Sequence, residues 1–198
     1  MTILNQKTKW EKQNVADSVG LLRAVLRNHH PDLCWSIGPA GEKQLRQLRK
    51  ELQTAPPQLF DLLGIFDYSD TKFFSYIDPI SLKQLGSASK RQLDFYNEFA
   101  PLNDGEDGWM PDQYNCCQTD KRWRLDWLPF AEIDGDPIFF DMAPSKYGIL
   151  GQVVRADSDG WGLDIQGYSI AHWIKRIAEN IQSEPAYPLV FTPLPPPS

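Results

Sequence analysis

The apolar residues of this chain change their period between its first half and its second. Val15, Val19, Leu22 and Leu26 recur at steps of four, three and four, the spacing that keeps side chains on one face of an α-helix. Pro31 cannot continue that helix and restricts the residue before it, so an end near His29 is expected. Gly38-Pro39-Ala40-Gly41 breaks the pattern. A second helix is predicted from Glu42 to Thr54, with Leu45, Leu48 and Leu52 on one stripe, and Pro56-Pro57 stops it. Pro57 also suits the first turn of a short third helix through Leu59, Phe60, Leu62 and Leu63, closed by Gly64.

Phe73-Phe74-Ser75-Tyr76-Ile77 reads as a first strand. Ser81 is placed to cap a helix towards Phe99, marked by Leu82, Leu85, Leu93 and Phe99, with Gly86-Ser87 as a point of interruption. Residues 103–120 read as a long irregular loop with five acids and no base. The apolar runs then become short: Trp127 to Ala131, Ile138 to Asp141, and Gly151 to Val154. Each is too brief for a helix and rich in aromatic or β-branched residues, so each reads as a strand of an antiparallel meander. Asp134-Gly135 separates the first two and suits a turn that needs a positive φ. Trp161 to Gln166 is the expected last strand. Ser169 then caps a final helix with Ile170, Trp173, Ile174, Ile177 and Ile181 facing inward.

These elements predict an α+β fold: an antiparallel β-sheet of about five or six strands, with helices packed mainly on one face. One domain is expected over residues 1–184. It comprises a loose arm (1–13), an N-terminal helix (14–30) and a core of about 36–182, followed by a proline-rich tail (185–198). Composition agrees with one packed unit, since 41% of the 198 residues are hydrophobic, including 7 Trp, 7 Tyr and 10 Phe. No apolar run approaches the roughly 18 residues that span a bilayer. The first residues, Met1 to Lys7, lack a signal-peptide apolar stretch, so a cytoplasmic location is expected.

Charge changes the picture more than composition does. The net charge of −6 is uneven: residues 103–164 hold 13 acids against 5 bases, and the rest holds 13 against 15. An acidic half does not suit nucleic acid, which is bound by neutralising phosphates. It suits a protein partner with a basic surface, which the field would steer in. The candidate partner surface is the acidic loop with Asp104, Glu106 and Asp107, Trp109 as an aromatic anchor, and the turn at Asp134 and Asp136. Acidity that only solvates the surface is the competing account.

Catalytic and cofactor chemistry finds little support. Gly167-Tyr168-Ser169-Ile170-Ala171 falls one residue short of a nucleophile elbow, and no His follows His172, so Ser169 reads as a helix cap. Asp134, Asp136 and Asp141, or Asp157 and Asp159, could in principle bind a cation or act as an acid/base pair. Neither set has calcium-loop spacing, and turn formation accounts for both. Cys34, Cys116 and Cys117 lack zinc-site spacing and read as buried or idle thiols. No phosphate-binding glycine motif is present, and no cofactor is expected. Trp123, between Arg122 and Arg124, reads as a core residue beneath a solvated face.

The ordered residues Trp127, Pro129, Ala131, Asp134, Gly135, Asp141, Pro144, Gly151, Gln152, Val153, Ser169 and Trp173 resemble the core of the SUKH superfamily, the Smi/Knr-type domain. The resemblance covers roughly residues 36–182. It departs at Ala55-Pro56-Pro57, where the family has a Leu-Pro break, and at Phe66-Asp67-Tyr68, where Asn-Gly is common. It implies a non-catalytic protein-binding domain. The bacterial branch implies an immunity protein that neutralises a toxin domain, often a nuclease. The fungal branch implies a regulatory scaffold of cell-wall assembly. A small hydrolase using Asp134 and Asp136 is the third alternative.

Overall fold

The computed structural model describes residues 14–31, 39–65, 77–80, 82–99, 116–119, 123–157, 162–184 and 194. Helix α1 spans Val15–His29. The Asn14 side chain caps it by accepting from the Ala16 amide at 2.8 Å, and the His30 amide closes its other end onto the Leu26 carbonyl. Val15, Val19, Leu22, Val25 and Leu26 are buried along the predicted face. Helix α2 is Glu42–Glu51, three residues shorter at its end than expected. The chain leaves the helix at Leu52, with φ −108° and ψ 59°, and the Leu52 and Ala55 amides turn back onto the Leu48 and Leu52 carbonyls. Helix α3 is Pro57–Ile65 and buries Leu59, Phe60, Leu62 and Leu63.

Strand β1 is the short segment Ile77–Pro79. Residues 73–76 of the predicted first strand lie outside the described residues. Helix α4 runs Leu82–Phe99 without a break at Gly86-Ser87. The meander follows as β2 (Trp127–Ile133), β3 (Asp136–Asp141), β4 (Gln152–Asp157) and β5 (Gly162–Gly167), and α5 (Ile170–Ser183) closes the described core. The fold is α+β, with an open antiparallel sheet in the order β1-β2-β3-β4-β5. Four strands of six or seven residues form its body. The expected count of five or six strands is reached only by including the three-residue β1. Among the described residues no helix is long and apolar enough to cross a membrane.

Both faces of the sheet are covered. Leu128, Phe130, Ala131, Ile133, Ile138, Phe140 and Val153 pack with α1, α2, α3, α5 and the first half of α4. Trp127, Phe139, Val154, Ala156, Leu163 and Ile165 form a second cluster with Tyr96 of α4, Cys116, Cys117, Trp123 and Ile149. Trp123 stacks on Tyr96 and meets Trp127 and Phe139 edge-on, with ring centroids 5.2–5.6 Å apart. Trp123 lies in irregular chain before a turn, and it is buried, as its reading as a core residue expects.

A bulge in β2 serves the first cluster. Phe130 is the extra residue between the pairs Pro129–Phe139 and Ala131–Ile138. Strand side chains alternate faces, so in a regular, unbulged strand of this sequence Ala131 and Ile133 would point away from Leu128 and Phe130. The bulge also accommodates Pro129, which has no N–H to give the ladder.

Candidate functional site

The register gathers two groups of side chains at opposite ends of the sheet. At one end, Asp134 and Gly135 join β2 to β3, both with positive φ, 52° and 89°. Two such residues form a type I′ turn, whose twist matches that of the flanking strands. The same end carries Asp157 and Gly162, the last pair of β4 and β5. Asp134 is exposed. Asp136 is buried, and its carboxylate accepts from Nε and Nη2 of Arg155, the former at 3.1 Å. The two carboxylates named for the partner surface are therefore separated: Asp134 faces outward, while Asp136 is committed to an ion pair across the sheet. Asp104, Glu106, Asp107 and Trp109 lie outside the described residues.

The opposite end holds a polar knot. Asp141 ends β3, Gln152 opens β4, and both are fully buried. Gln152 Nε2 donates to Asp141 Oδ2 at 3.1 Å. Asp141 Oδ1 accepts from the Ala143 amide at 3.1 Å. Gln152 Oε1 accepts from the Ile149 amide at 3.0 Å, and Nε2 also reaches the Cys116 carbonyl and the Cys117 sulfur. Burial pushes the Asp141 carboxyl up from 3.8 to about 6. The Ala143 amide, Gln152, the Cys117 thiol and the charge of Arg124 pull the other way.

This knot fixes the loop 142–151 and the segment 116–119 to the sheet. The Ser145 amide donates to the Cys116 carbonyl, and the Gly151 amide to the Asp141 carbonyl. Gly151 has φ 78°, which a glycine adopts at little cost. At Gly148 a Cβ would lie 2.3 Å from the Cys116 carbonyl oxygen, so only glycine fits the close approach. Sealed from solvent, Asp141 holds structure and cannot meet a substrate directly. Sequence reasoning named Asp141 and Gln152 separately and missed their partnership. The available signal was a pair of polar residues at the ends of two apolar strands that a hairpin-like connection brings side by side.

The final helix opens on two side-chain caps. Ser169 Oγ accepts from the His172 amide at 3.1 Å, and His172 Nδ1 accepts from the Tyr168 amide at 3.2 Å. Both side chains thus cap backbone groups, as predicted for Ser169. Cys116 and Cys117 are buried and are not in a disulfide, and Cys34 lies outside the described residues. A separate open cleft of about 680 Å³ lies among α1, α2 and α3, where the Arg49 guanidinium sits 5.3 Å from the centre of the Phe60 ring.

No family model matches the chain, and no curated protein matches it in sequence.

Proposed function

We propose that this chain is a non-catalytic protein-binding domain of the SUKH type, an immunity protein that binds and neutralises a toxin domain with a basic surface. The observation that carries the reading is how the carboxylates of the meander are used. Asp136 is consumed by Arg155 and Asp141 by the buried knot, whereas Asp134 stands exposed on a rigid hairpin tip. This pattern favours a charged recognition surface over a reaction centre. The acidic balance of residues 103–164 supports the same partner, because a nuclease binds its substrate through basic side chains that an acidic protein can occlude.

Several of the residues that carry the resemblance have structural roles. Trp127 and Trp173 are buried in the two clusters, Asp141 bonds Gln152, and Ser169 caps α5. Co-expression with a panel of toxin nuclease domains tests the proposal. Growth rescued by the chain, together with a complex that co-purifies, is the expected result. Turnover of a nucleotide, ester or glycoside substrate by the purified chain, lost in Asp134→Asn, would replace this reading with the hydrolase one.

A further inference from the structure

In the described sheet β5 is the terminal strand on its side. A terminal strand presents main-chain groups that can template another chain. One of those groups is already occupied. The Leu194 amide donates to the Ile165 carbonyl at 3.1 Å. The Leu194 side chain is partly buried against the second cluster, which includes Leu163 and Ile165 of β5 and the neighbouring Tyr168.

The sequence around Leu194 gives this contact its character. Pro193 precedes it, and Pro195-Pro196-Pro197 follows. Proline has no N–H, so Leu194 is the sole backbone donor between residues 193 and 197. A residue before proline favours extended backbone, which is the conformation a strand edge accepts. Residues 193–197 can give the edge one backbone donor, and the prolines after Leu194 add no further N–H to a ladder.

We propose that the proline-rich tail is an intramolecular edge guard. Leu194 latches onto β5 through its backbone amide and its aliphatic side chain, and so denies that edge to a strand from a second copy or from a partner. The occupant of the edge is the chain's own tail. This holds whether or not the chain neutralises a toxin, because it rests on Leu194, Ile165 and the second cluster alone. A latch that holds by the Leu194 bond and side chain opens locally without unfolding the sheet.

Amide hydrogen exchange of the full-length chain, followed by NMR, tests it directly. The Leu194 amide should exchange at least about tenfold more slowly than in an unfolded peptide of the same sequence. Leu194→Pro removes the donor, and Leu194→Asp removes the apolar anchor. Both variants should speed exchange of the β5 amides by about tenfold and make sedimentation depend on concentration, while α1 amides keep their wild-type rates. Free-peptide exchange at Leu194 in the wild type would overturn the proposal. So would variants that match the wild type in both β5 exchange and sedimentation. If a variant unfolds throughout, the wild-type Leu194 rate decides the matter without it.

Discussion

At the scale of single residues, Asp141 links burial to pH. Its folded pKa of about 6 lies above its ordinary value of 3.8, so the folded state holds the proton more tightly than the unfolded one. Its contribution to stability is complete below pH 3.8 and is lost as pH rises through about 6. The shift is worth roughly 3 kcal/mol at about 1.4 kcal/mol per unit. Urea midpoints between pH 4 and pH 7 should therefore fall more steeply in the wild type than in Asp141→Asn, which has no proton to lose. Equal slopes would show that Asp141 is not sealed from water. Gln152→Leu leaves the Ile149 amide without its acceptor, and a loss of about 1–3 kcal/mol is expected in the same assay.

Trp127 and Trp173 belong to this scale as well. Both are buried as their apolar patterns predict. Trp127 stacks on Phe139, and Trp173 meets Phe130 edge-on. Truncation of either to Ala should cost roughly 3–5 kcal/mol. Unchanged denaturant midpoints in both variants would place these rings at the surface instead.

At the scale of elements, ends and turns fix the register. The Asp134-Gly135 turn sets which β2 residue faces which β3 residue, from Ile133–Asp136 onward. Gly135→Ala forces a side chain onto φ 89° and should cost about 1–2 kcal/mol, read as a lower melting temperature. Ser169→Ala removes the α5 cap and should cost about 1 kcal/mol. The turn was legible because Asp-Gly between two apolar runs has few other uses. The cap was legible because Ser directly precedes a helical stripe. The end of α2 was misplaced by three residues because Leu52, Gln53 and Thr54 tolerate a helix, whereas the chain already leaves it at Leu52.

At the scale of the whole molecule, charge acts through distance. If a toxin partner is steered by the acidic half of the chain, neutralising Asp104, Glu106 and Asp107 together should slow association and flatten its dependence on ionic strength. Asp134→Asn should act in the same direction and more weakly, since it removes one charge. Stopped-flow association rates across a salt series provide the comparison, and slopes identical to the wild type would remove these carboxylates from the encounter surface. Asp136→Asn should instead lower stability, because Arg155 would lose its charged partner.

The sequence by itself determined the α+β class, the order of helices and strands, the hairpin turn, the α5 cap and the inward faces of α1 and α5. These follow from local periodicity and local backbone preference, which need no knowledge of distant residues. Only the tertiary structure decided what lies across the sheet. Every strand residue of β3 is buried, and a second aromatic cluster closes the face that the one-sided packing left open. Asp136 looked like its exposed neighbour Asp134 until β4 brought Arg155 beside it. Asp141 and Gln152 became one knot only when antiparallel pairing set them opposite each other. Each of these depends on contacts between segments far apart in the chain, and periodicity within one segment carries no information about which charge or which ring the fold will bring against it.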